Sequence, residues 1–155
     1  MWDASRMRIA TIAAMVILLT SCSTPEERKN EALIAQIEKQ VQLPKGALPL
    51  NYYARFYADA GHDEVAAVYM LPSVIEKMAA EQCEQLTGID TSKSVPCVSS
   101  EIGKMKAGQR LWVGGQENLP FEVAPGCDVI TLGFDRGRRQ FIEIGCVGHR
   151  PPEEY

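Results

Sequence analysis

Histidine is scarce in this chain: His62 and His149 are the only two among 155 residues. Imidazole-based triads and multi-histidine metal sites therefore have almost nothing to draw on. No Gly-x-Ser-x-Gly element occurs, which removes the commonest signature of an exposed serine nucleophile. Gly114-Gly115 lacks the residues that make a glycine-rich loop a phosphate cradle. Positive charge is not in excess either. The 16 Lys and Arg residues face 20 Asp and Glu residues, a net of −4, so nothing electrostatic favours a nucleic-acid partner. No apolar run reaches the roughly 20 residues of a membrane-spanning helix. There is no internal repeat and no low-complexity tract, so one ordinary domain is expected from a chain of this length.

What is present begins at the N-terminus. Arg6 and Arg8 precede a largely apolar stretch from Ile9 to Leu19, a charged region followed by an apolar core of signal-peptide length. It ends in Leu19-Thr20-Ser21-Cys22. A branched apolar residue and two small ones ahead of a cysteine suit a narrow protease site, and the thiol can take a diacylglycerol as a thioether. This segment resembles the lipobox of bacterial lipoproteins. The resemblance covers residues 6–22 only. It implies removal of residues 1–21, lipid on Cys22, acylation of the new amino terminus, and a mature domain spanning residues 22–155. Several acyl chains together give firm anchoring, where one alone is reversible. An ordinary secretory signal and an uncleaved anchor are the competing readings. Met7 is an alternative start, because Met7-Arg8-Ile9 still leaves a short charged region. Ser23, rather than Asp, follows the cysteine. By resemblance to enterobacterial lipoproteins this points to the outer membrane, facing the periplasm. Without Asp3, Arg6 and Arg8 the chain keeps 14 basic and 19 acidic side chains, a net of −5.

With Cys22 assigned to lipid, Cys83, Cys97, Cys127 and Cys146 remain. An even number of cysteines in an exported chain reads as disulfides. The expected pairs are Cys83–Cys97, closing a local loop, and Cys127–Cys146. For the second pair, Cys127–Phe134 and Gln140–Val147 read as strands around an Asp135-Arg136-Gly137-Arg138 turn. If Phe134 faces Arg139, Cys127 falls opposite Cys146, within disulfide reach. Zinc is disfavoured because no two cysteines have close ligand spacing. No metal and no cofactor is expected.

Thr24-Pro25-Glu26-Glu27 is a helix start with a cap, a proline at the first position and a capping-box glutamate. Leu33, Ile34, Ile37 and Val41 continue it as an apolar stripe, expected to pack on the domain in preference to the bilayer. Strands are expected at Tyr52–Ala58 and Glu64–Leu71, joined by a loop at Asp59–Asp63. Ser73 and Glu76 suggest a second capping box, with a helical stripe running to Leu86 and Gly88 beyond its end. Residues 88–108 read mostly as loop. Short strands are expected at Arg110–Val113 and around Phe121 and Val123. The last hairpin is apolar on both sides. Val129, Ile142 and Ile144 are expected on the cysteine face, and Ile130, Leu132, Phe134 and Phe141 on the other. Cover on both faces is therefore anticipated. The resulting fold class is α+β: a small antiparallel sheet with about two packed helices, stapled by two disulfides. Pro151–Tyr155 reads as a tail.

Three groups invite a functional reading. His62 with Asp59, Asp63 and Glu64 suggests a metal or acid–base site, but the same residues are ordinary in a solvated hairpin loop. Arg136, Arg138 and Arg139 could meet lipid phosphates or an acidic protein, though hairpin tips are normally polar. Tyr53, Arg55 and Tyr57 share one strand face, which suits either a binding surface or a sheet under a helix, and the second is favoured. His149 has no neighbour that suggests a triad. No catalytic constellation emerges. The expectation is a non-catalytic envelope lipoprotein, held to the membrane through Cys22, with a structural role or a protein partner in the envelope. Size, lipobox and disulfides in a β-rich domain are also similar to the small lipoprotein inhibitors of lysozyme. Their loop motifs do not occur here, so no residue is carried over. Inhibition of an exported hydrolase is the alternative, and a small envelope enzyme comes third.

Overall fold

Thr24 does at the start of the domain what its sequence neighbours require. A computed structural model of the chain describes residues 23–87 and 101–148, with the side chains of residues 82–87 outside that description. In it helix α1 spans Pro25–Gln40. The Glu27 N–H donates to Thr24 Oγ1 at 3.1 Å, and the Thr24 N–H donates to Glu27 Oε2 at 2.6 Å, a complete capping box. Pro25 occupies the first turn, where no N–H is needed. Ile34 and Ile37 are the buried points of the stripe, so α1 packs on the domain.

The sheet has five strands: β1 (Ala54–Gly61), β2 (Glu64–Met70), β3 (Arg110–Gly115), β4 (Val129–Asp135) and β5 (Gln140–Cys146). Their order is β3-β1-β2-β4-β5. The sheet is mixed, which corrects the antiparallel expectation: β3 runs parallel to β1, and the other neighbours are antiparallel. The long connection from β2 through helix α2 (Pro72–Thr87) to β3 gives the chain length to cross over and join beyond β1.

Each face of the sheet has its own core. Tyr53, Tyr57, Val65, Tyr69, Ile130, Leu132 and Phe134 pack under α1 with Ile34 and Ile37. Ala54, Phe56, Val68, Met70 and Val129 pack on the opposite face with Val74 and Ile75 of α2 and with Ala124. Cover on both sides accounts for the nearly unbroken burial along β1 and β2. The architecture is α+β in three layers, with α1 on one side and α2 plus irregular chain on the other.

Several boundaries move for identifiable reasons. Pro49 leads into a 3₁₀ turn at Leu50–Tyr52, so β1 begins at Ala54 rather than Tyr52. At its other end β1 continues to Gly61, and His62-Asp63 alone make the turn, with φ of 48° and 62°. Two left-handed residues are what a tight hairpin twist demands, and His and Asp supply them where Asn-Gly is usual. Helix α2 opens with Pro72 in its first turn, one residue ahead of the expected Ser73 cap. Phe121 and Val123 belong to no strand; they lie on the irregular chain between β3 and β4.

The last hairpin brings the main correction. Its turn closes on Asp135 and Gln140, and a bulge follows between Gly133 and Phe134, so Cys146 pairs with Ile130 and not with Cys127. Ile144 and Cys146 consequently join the α1 side with Leu132 and Phe134, while Ile142 packs over Gly133 on the other face, 54% exposed. The Cys127–Cys146 bond nonetheless forms, with Cα atoms 4.7 Å apart. Cys127 reaches it from a turn ahead of β4, in which the Asp128 N–H donates to Pro125 O at 3.4 Å. Just past the bridge, Gly148 has φ of 93°, and a Cβ there would sit 2.5 Å from Ala124 O, so only glycine fits. The expected Cys83–Cys97 pair lies outside the described residues.

Two stability outcomes follow. Ile37→Ala should lower unfolding stability by about 2–5 kcal/mol in urea titration, because it opens a void between α1 and the sheet. Replacing Cys127 and Cys146 together by Ser should cost about 3 kcal/mol in the same assay, since a loop of this size is no longer closed in the unfolded chain.

Candidate functional site

Glu38 is the most heavily engaged polar side chain of α1. Tyr57 Oη donates to Glu38 Oε1 at 2.9 Å, and Arg55 Nη1 lies 3.1 Å from the same oxygen. Arg110 Nη1 reaches Glu38 Oε2 at 3.3 Å, and its Nη2 donates to Glu31 Oε2 at 2.6 Å. Arg55 and Arg110 are paired neighbours on β1 and β3, so two like charges would repel across the strands without these carboxylates between them. Arg55 is only 8% exposed, and its Nη2 donates to Gly108 O at 2.5 Å. The Tyr57 and Tyr69 hydroxyls are hydrogen-bonded at 3.2 Å, with their rings edge to face.

Burial dominates the titration of these phenols. It pushes Tyr69 up to about 12; Glu38 adds to the rise, while the Tyr57 hydrogen bond and Arg55 oppose it. Tyr57 is held higher still, by burial first, then by Tyr69 and Glu38. Tyr53 is also raised by burial; its hydroxyl accepts from the Leu48 N–H at 3.0 Å and donates to Cys127 O at 2.9 Å. That phenol ties the α1–β1 connection to the disulfide turn. The face shared by Tyr53, Arg55 and Tyr57 is therefore the underside of α1, not a free binding surface.

At the opposite end of the sheet a cleft of about 860 Å³ opens beside the first turn of α1. Glu26, Lys29, Leu33, Asp59, Trp112 and Arg136 are among its walls. Arg136 Nη2 is 3.1 Å from Asp59 Oδ2, and its guanidinium lies 5.9 Å from the centre of the Trp112 ring. The Gly61 N–H, at 2.8 Å, and Arg136 hold the Asp59 carboxyl below the usual carboxylate range. The Arg136 N–H donates to Asp63 O at 2.8 Å, which joins the two hairpin tips. Arg138 stays on its own turn, 3.7 Å from Asp135, and Arg139 is exposed with φ of 56°.

Of the residues singled out in the sequence, the structure brings Asp59 and Arg136 together and leaves His62 and Asp63 out of the cleft wall. Among the described residues no group of three or more His, Cys, Asp or Glu side chains is placed to hold a metal ion. Cys22, Cys97 and His149 lie outside the described residues, as does the side chain of Cys83. Glu31, Glu38, Arg110 and Trp112 were not singled out. A signal existed for the first two: they stand two helical turns apart, on the face that also carries Ile34 and Val41. Their arginine partners are strand residues far along the chain, and no local pattern connects them.

Comparison with protein-family models, characterised proteins and solved structures finds no match for this chain.

Glu38→Ala should cost about 3 kcal/mol in urea titration, because Arg55 is left buried without its carboxylate. The tyrosines predict alkaline sensitivity. Below pH 10 the phenols are neutral in both folded and unfolded chains and contribute no slope. Above it the unfolded chain ionises first, so stability falls progressively from pH 10 towards about 12. Phenolate absorbance from Tyr57 and Tyr69 should then rise together with loss of structure, not before it.

Proposed function

We propose that the protein is a non-catalytic cell-envelope lipoprotein, cleaved before Cys22, anchored by lipid on that cysteine and serving a structural or partner-binding role at the outer membrane. The observation that carries this reading is the order Arg6, Arg8, apolar core, Leu19-Thr20-Ser21-Cys22, followed at once by the capped start of α1. The Cys127–Cys146 bond supports it, since such bonds persist in oxidising compartments. A second bridge, Cys83–Cys97, belongs to the same proposal. A non-catalytic role is supported by the state of the best-engaged carboxylate: both oxygens of Glu38 are held by Tyr57 and two arginines, which ties the group into the contact between α1 and the sheet.

Intact-mass analysis of the protein extracted from membranes, with and without reduction, tests these claims together. The expected species lacks residues 1–21, carries acyl chains on Cys22 and gains the four hydrogens of two bridges on reduction. A species that retains residues 1–21 and has no lipid sinks the proposal. Lysozyme left fully active by micromolar purified domain would be consistent with a structural or binding role; inhibition would replace it with the inhibitor reading.

A further inference from the structure

The end of the molecule that holds the anchor is defined by the geometry of α1. From Cys22 only Ser23 and Thr24 lead into the helix, a span of at most about 11 Å to Pro25. The helix itself, 16 residues long, extends about 24 Å. Its first turn shares the cleft wall with Asp59 at the end of β1, Gly114 at the end of β3 and Arg136 at the β4–β5 turn. Both hairpin tips, His62-Asp63 and Arg136–Arg139, are therefore at the anchored end, tied to each other through Arg136 and Asp63. The disulfide, the Leu50–Tyr52 turn and the start of β1 are at the other end, joined there by Tyr53.

We propose that the domain stands end-on, with the His62-Asp63 and Arg136–Arg139 tips resting on the phospholipid headgroup layer and the Cys127–Cys146 end pointing away from it. The inference rests on lipid being carried by Cys22. The tether is much shorter than the helix, so the far end cannot be exchanged for the near one. Lying sideways on α1 has little apolar surface to favour it: the exposed residues of that helix are charged or polar side chains with only Pro25, Ala32 and Ala35 among them, because Ile34 and Ile37 are buried in the core. The tips, by contrast, offer the exposed guanidinium groups of Arg138 and Arg139, which match phosphate oxygens in charge and hydrogen-bonding geometry.

The mature chain carries its own reporter. Removal of residues 1–21 takes away Trp2 and leaves Trp112 as the only tryptophan, in the cleft at the anchored end. The membrane-extracted protein, with lipid on Cys22 established by mass, is reconstituted into phosphatidylethanolamine–phosphatidylglycerol vesicles containing a lipid with a nitroxide on its headgroup. Trp112 emission should fall as nitroxide lipid is added. A Trp112→Phe/Tyr52→Trp variant, checked for native circular dichroism, moves the reporter to the exposed Tyr52 position at the far end, and its emission should hold. Equal loss in both proteins, or loss at position 52 alone, overturns the end-on arrangement, and so does unquenched emission from Trp112 in the wild type. Absence of lipid on Cys22 is a different failure, seen in the mass before any fluorescence is read, and it removes the anchor reading itself. The wild-type measurement requires no substitution, so a variant that misfolds does not spoil the test.

Discussion

The carboxylate of Glu38 holds helix and sheet together at a point where hydrophobic packing alone would not specify one arrangement. Ile34 and Ile37 would favour many placements of α1 over a face of tyrosines and aliphatics. Two arginines side by side on β1 and β3, one of them almost wholly buried, are tolerable only with acids between them. Glu38 and Glu31 supply those acids from positions two turns apart on one helix face, which sets both the axial position and the rotation of α1. Edge strand β3 is drawn into the same arrangement, because Arg110 is its contribution. The Tyr57–Tyr69 pair extends the network across to β2.

A second constraint lies at the end remote from the start of α1. There the disulfide, the Tyr53 hydroxyl and Gly148 each join pieces of chain that are distant in sequence: the α1–β1 connection, the turn before β4 and the exit from β5. The two ends of the domain thus differ in kind. One is cross-linked covalently and by hydrogen bonds between separated segments. The other consists of tight hairpin tips and a cleft whose walls are charged and aromatic. The asymmetry gives the molecule a direction, and α1 runs along it.

Much of the architecture could be read in advance because its causes are local. The cap of α1 depends on residues three apart, and the strands β1, β2, β4 and β5 on alternation, β-branched content and intervening turns. The pairing of Cys127 with Cys146 was legible too, but for a reason that does not hold. Simple alternation needs Phe134 opposite Arg139; the turn closes two positions differently, and a bulge with Ile142 as the extra residue alters the register again. Side-chain faces in a strand alternate residue by residue, so one bulge was enough to separate Ile142 and Ile144, which alternation would put on one face, onto opposite faces of the sheet. The parallel placement of β3 was illegible because it follows from where a long connection comes to rest.

Residue chemistry within a few positions decides the start of α1, the existence of the hairpins and the supply of the Cys127 and Cys146 thiols. Each of these is a short-range matter of capping, periodicity or side-chain size, and survives whatever the rest of the chain does. The register of β4 and β5, the mixed sheet and the union of Glu38 with Arg55 and Arg110 were decided only by the folded whole. Arg110 lies 72 positions beyond Glu38. Contacts across such separations are selected by which packing leaves the fewest buried charges and hydrogen-bonding groups unmatched, and that sum exists only once every layer is in place.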